Sequence, residues 1–164
     1  MAITYTESLE LKEMAQKLKE RYYLHLEHVD IESVYFAIKE GELPIKRKPV
    51  EITGITHGGI KQIISLHGGN EQYCIQVWKD DWDNYTPAKQ EWLMFEMLYS
   101  IDEKNNGKIK NKDIMEYDII AEYFINNENI GIKWRNKDYE LPSLLDGNPL
   151  SIPLHYEDED EENE

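Results

Sequence analysis

The order of elements in this chain predicts an α+β fold: a small mixed or antiparallel sheet with helices packed on one face. Three observations carry that reading. A helical pattern opens the chain, short segments rich in Val, Ile, Tyr and Phe follow between residues 33 and 79, and two further helical patterns come after them. In the first of those two, residues 92–101 are nearly all apolar and enclose a single carboxylate, Glu96. A helix with no polar stripe is buried on every side. An ionised carboxylate inside a protein is costly without a partner, so Glu96 has to be protonated, hydrogen-bonded or turned to a cleft.

Residues 7–23 place Leu11, Ala15, Leu18 and Tyr22 at helical spacing among Glu, Lys and Arg, which predicts an amphipathic first helix. In 24–30, Leu24, Leu26 and Val29 alternate with His25 and His28, a pattern that favours extended structure with the two imidazoles on opposite sides. Residues 33–38 read as a strand ended by Gly41, and 40–49 as a polar loop. That loop carries Lys46, Arg47 and Lys48, either a solvated cluster or one that docks an anion. Residues 50–56 and 60–66 read as further short strands, separated and ended by glycine pairs that serve as turns and lack the pattern of a phosphate loop. The best strand signal is 73–79, with Tyr73, Ile75 and Val77 alternating with Cys74, Gln76 and Trp78.

Thr86 and Pro87 then start the central helix, expected over residues 87–101. The loop 102–113 resembles a calcium-binding loop through Asp102, Asn106, Gly107 and Asp113, but Lys104 stands where an oxygen ligand belongs. Helical spacing returns over 112–126, and 130–134 reads as a short closing strand or extended segment. Prolines and glycines interrupt regular structure from Arg135 onward, where Leu141, Leu144, Leu145, Leu150, Ile152 and Leu154 are apolar enough to drape over the core.

At 164 residues the chain has the length of one domain, expected over residues 1–156. The run 157–164 is acidic except for Asn163, has nothing apolar to bury, and is expected to be disordered. A net charge of -15 argues against direct binding to nucleic acid, which rewards Lys and Arg. The lone Cys74 excludes an internal disulfide and reads as core. With no apolar run of membrane-spanning length, the expectation is a cytoplasmic protein without membrane contact.

Residues 73–134 resemble a zincin-type metallopeptidase core, and in particular the putative phage metallopeptidase family. That family has a strand, an acidic and aromatic connection, a helix bearing His-Glu-x-x-His, a loop, and a second helix that begins with His-Asp and is followed by a Gly-x-x-Trp-like segment. Here the helix motif reads Phe95-Glu96-Met97-Leu98-Tyr99, the His-Asp position reads Tyr117-Asp118, and the closing segment is Gly131-Ile132-Lys133-Trp134. Two histidines four apart let both imidazoles reach one Zn²⁺, while the Glu between them serves as base toward its water. All three expected histidines are aromatic here. Phe95 has no lone pair, and Tyr99 and Tyr117 would ligate only as phenolates, with an ordinary pKa near 10. Glu96 is then expected to bond Tyr99, Tyr117 or the backbone.

Three functions follow as expectations. The resemblance implies a non-catalytic phage protein that binds a host protein, in the host cytoplasm, with no cofactor and an oligomeric state left open. A hydrolase with a displaced site would draw on His25, His28, His57, His67 or His155 with Glu96. An acidic mimic of nucleic acid would block a DNA- or RNA-binding protein.

Overall fold

The structure, a computed structural model, describes residues 3–55, 71–104, 107–110, 117–135 and 139–154. The expected strand at 60–66, both glycine pairs, His57, His67, His155, the start of the helix expected from 112, and the acidic run 157–164 lie outside them.

Four strands, β1 (Thr4–Glu7), β2 (Val34–Glu40), β3 (Val50–Gly54) and β4 (Tyr73–Trp78), form one mixed sheet in the order β1-β2-β4-β3. β2 and β4 are parallel, and the flanking pairs are antiparallel. The register sets Phe36 opposite Ile75 and Ile75 opposite Ile52, with Ile38, Val77 and Val50 in the next rank. Partners opposite one another share a face, so this side is a continuous apolar surface, and the helices pack on it. On the reverse side Tyr35, Ala37 and Cys74 form a small second cluster. Burial there pushes the Cys74 thiol up to about 12, which makes it an inert core residue. The sequence gives no hint of β1, whose Thr-Tyr-Thr-Glu lies at the sheet edge and is mostly exposed.

The first helix, α1 (Leu9–Arg21), begins where Ser8 Oγ accepts from Leu11 N at 3.2 Å, and it buries Leu11, Ala15 and Leu18. Residues 24–30 are not extended. Tyr23–Leu26 make one helical turn, α2, which lets Leu26 and Val29 both reach the core while Tyr23 and Leu24 face water. A second short helix, α3 (Lys79–Asp83), stands where a plain connection was expected, and it buries Trp82.

The central helix, α4 (Pro87–Tyr99), starts as read: Thr86 Oγ accepts from Lys89 N at 3.2 Å, and Pro87 occupies the first turn. It stops two residues earlier than expected, because Ile101 leaves to bridge Ile109. That crossing brings Gly107, at φ 87°, against Gly54, where any side chain on Gly54 would collide with the Gly107 carbonyl. Next come α5 (Asp118–Tyr123), a π turn (Phe124–Glu128) and a 3₁₀ turn (Gly131–Arg135). The 3₁₀ turn replaces the extended segment expected at 130–134. Asn129 and Gly131, both left-handed, reverse the chain there, so that Trp134 stacks on Phe124 with centroids 5.6 Å apart. None of the helices among the described residues is long and apolar enough to cross a membrane.

Residues 139–154 drape over the core as the apolar pattern implied, with Leu144 and Ile152 buried. Their backbone is pinned by side chains from both sides. From α4, the Trp92 indole donates to the Pro142 carbonyl at 2.9 Å, and Glu91 Oε1 accepts from Ser143 Oγ at 2.8 Å and Leu144 N at 2.9 Å. From the N-terminal helices, the Tyr22 hydroxyl donates to Leu144 O at 2.8 Å and accepts from Leu150 N at 3.0 Å, while Arg21 donates to Leu145 O and Gly147 O. Glu91→Ala strands several of these donors and is expected to cost about 3 kcal/mol, against less than about half of that for Glu91→Gln, which keeps an acceptor. Urea unfolding midpoints of the two variants check it.

Candidate functional site

Helix α4 delivers Phe95, Glu96 and Tyr99, and the first residue of α5 is preceded by Tyr117. Phe95 and Tyr99, one helical turn apart, lie parallel with centroids 6.3 Å apart, and Tyr99 meets Tyr117 edge-on at 5.1 Å. Three positions separated in sequence thus form one unbroken run of rings. Phe95 is fully buried and also touches Tyr22 at 5.8 Å and Trp92 at 6.1 Å. The Tyr117 hydroxyl donates to the Lys110 carbonyl at 3.0 Å, and the Lys110 ammonium lies 4.6 Å from the centre of the Tyr99 ring.

This donor set does not fit Zn²⁺. Phe95 offers nothing to a metal, the Tyr117 hydroxyl spends its proton on a backbone carbonyl, and no imidazole stands at any of the three positions. Rings occupy the space between these positions. Asp118 is exposed, with Oδ1 accepting from Ile119 N at 2.8 Å in the first turn of α5, where a carboxylate suits the helix dipole.

Glu96 is 2 % exposed, and the partner seen for its carboxylate is Arg135, which the sequence reading did not name. Arg135 Nη1 donates to its Oε2 at 2.6 Å, from a side chain about a third open to water and resting 4.4 Å over the Trp134 ring. Sequence reading missed Arg135, because it stands 39 residues away beyond a turn of irregular backbone. Its only signal was the pair Trp134-Arg135 at the end of the closing segment.

Glu96 opens on a cleft of about 580 Å³ bounded by β3, α4, residues 109–110 and Arg135. Arg47 and Lys48 of the basic loop border it, with Lys48 exposed, while Lys46 is exposed and outside its lining. Arg47 is held in place by Asp81 through paired bonds of 2.7 and 2.8 Å.

His25 and His28 lie in a different cavity, of about 400 Å³, together with Glu27, Tyr99 and Glu103, and Lys110 borders both this cavity and the cleft over Glu96. The structure therefore brings two of the histidines together but not with Glu96. His25 Nε2 donates to the Ile152 carbonyl at 2.9 Å, and its buried Nδ1 meets no hydrogen-bond partner. Burial, and secondarily Lys110, pushes His28 below its ordinary 6.5. Among the described residues, no group of three or more His, Cys, Asp or Glu is placed to hold a metal ion. In the loop after α4, Asp102 Oδ1 accepts from Lys104 N at 3.0 Å, so this carboxylate serves its own turn.

The model of the family described as "Putative phage metallopeptidase" matches residues 3–140. No curated protein and no solved structure matches the chain.

Two outcomes follow from this geometry. Arg135→Gln removes the guanidinium bonded to the buried Glu96 and is expected to cost about 2–3 kcal/mol, the low end for a broken buried pair because Arg135 is partly in water. Adding Glu96→Gln should recover at least about 1 kcal/mol of the summed single losses in a double-mutant cycle. For His28, the unfolded chain binds its proton first as pH falls, so its contribution is whole above 6.5 and is lost on going down through that value. The stability difference between the native chain and His28→Gln is expected to shrink from about pH 7 to about pH 5, measured by urea titration at each pH.

Proposed function

Because the chain belongs to the putative phage metallopeptidase family, we propose that it is a non-catalytic member which keeps the cleft of a peptidase and uses it to bind another protein, of the host cell. The observation that carries this reading is the run of Phe95, Tyr99 and Tyr117, ring against ring at the three places where the motif calls for histidine. The residue aligned with the catalytic base supports it too. Glu96 is tied to Arg135, and a carboxylate held by a guanidinium at 2.6 Å is a poor proton acceptor. Yet the cleft above it persists, large enough to take several side chains of a partner.

Burying each ring is worth about 1.5–3 kcal/mol, which offsets in part the stability a bound metal would have given. The protein purified without added metal is expected to contain well under one zinc per chain by elemental analysis and to leave general protease substrates intact. A stoichiometric metal whose removal abolishes peptide cleavage would overturn the reading. The combined change Phe95→His, Tyr99→His and Tyr117→His tests the alignment itself: it should lower stability and create zinc binding, and a folded triple variant that ignores zinc would show that these positions are not the metal-binding ones. Capture from a bacterial lysate by the native chain, compared with a variant carrying Met97→Arg in the cleft, should lose its partner in the variant.

A further inference from the structure

The cleft over Glu96 is cationic in a protein that is not. Five of the chain's eighteen Lys and Arg residues line it, namely Arg47, Lys48, Lys89, Lys110 and Arg135, against two acidic residues. One of those two, Glu51, belongs to the reverse face of the sheet by strand alternation, and its carboxylate lies 3.4 Å from Lys39 there. The other is Glu96, tied to Arg135. Such a concentration of positive charge between apolar walls, in a chain of net charge -15, is not a by-product of composition.

Four of the five cations are also held in position, Arg135 by Glu96. Arg47 is clamped by Asp81, Lys89 donates to the Arg135 carbonyl and lies 4.5 Å over the Tyr85 ring, and Lys110 lies 4.6 Å over Tyr99. Cations anchored on rings and carbonyls lose little freedom when an anion arrives. They come from four separate parts of the chain: the loop before β3, α4, residues 109–110 and the end of the 3₁₀ turn at Arg135. Val50, Ile52, Leu93, Met97 and Ile109 fill the spaces between them. A segment that carries both carboxylates and aliphatic stems suits a cleft with cations set between apolar walls, and a volume of about 580 Å³ leaves room for several of its side chains.

We propose that this cleft binds an acidic polypeptide segment of the partner, its Asp and Glu side chains seated on Lys48, Lys110 and the partly exposed Arg135. The inference rests on the binding role proposed above and names the chemistry of what is bound.

The test is fluorescence polarisation of the full chain with a fluorescein-labelled octaglutamate peptide. Micromolar binding is expected, weakened at least about tenfold by Lys48→Glu with Lys110→Glu and unchanged by Lys12→Glu with Lys17→Glu on α1. A thermal melt of each variant confirms that it is folded. Equal loss in both pairs would overturn the proposal, as would tighter binding of a single-stranded oligonucleotide of equal charge. A second full-chain variant, with Glu157→Gln, Asp158→Asn, Glu159→Gln and Asp160→Asn, removes acidic groups that the chain itself could offer to the cleft. Binding seen only in that variant would support the proposal, with the chain's own acidic run as the competing segment; no binding in either form would sink it. Polarisation reports occupancy and not cleavage, so a chain found to carry zinc and cleave peptides would defeat the non-catalytic role while leaving the acidic preference to stand or fall on these data.

Discussion

A helix buried on all sides must find partners for every polar group it carries, and that constraint governs the rest of this structure. Helix α4 holds three such groups, Lys89, Glu91 and Glu96, each less than a tenth exposed. Leaving any of them unsatisfied would cost more than the net worth of an ordinary hydrogen bond. All three find partners in the same late stretch of chain: Lys89 the Arg135 carbonyl, Glu91 the backbone around Leu144, Glu96 the Arg135 guanidinium. The irregular C-terminal segment is thus held by the polar needs of the helix as much as by its own leucines.

On the same helix, Phe95 and Tyr99 stand four apart on one face and meet Tyr117, just before the next helix, as rings at 6.3 and 5.1 Å. Dispersion and edge-to-face packing hold these contacts, which need no ion and no deprotonation. The cleft over Glu96 takes in Leu93, Met97 and Ser100 of this stretch together with Tyr117, so the run of rings and the cleft meet at Tyr117.

The legible parts of the fold are those whose cause is local. An uninterrupted apolar run announces α4, capping residues mark where α1 and α4 begin, and alternation finds β4. The misread parts are short or settled by distant contacts. Four residues of α2 cannot display a helical period, and the Leu24-His25-Leu26 alternation imitates a strand. The β1 strand carries no apolar signature because one side of it meets water at the sheet edge. Residues 131–135 coil instead of extending because Trp134 is drawn onto Phe124 and Trp92. At the site, the three aromatic positions were legible from motif spacing, whereas Arg135 and Lys110 were not, since nothing in their neighbourhoods states which helix they will face.

The hydroxyl of Tyr22, with its two bonds to Leu144 and Leu150, sets a timetable for the ribosome. Residues near the start of the chain and the middle helix both wait for a segment more than 120 positions downstream of Tyr22 before their buried polar atoms are satisfied. Contacts of such sequence separation form late, after the entropy of closing the loop has been met. Until residues 139–154 are in place, the apolar flank of α4 and the buried polar atoms of Tyr22 and Glu91 have nothing to cover them, so a chain cut before Leu144 would expose both.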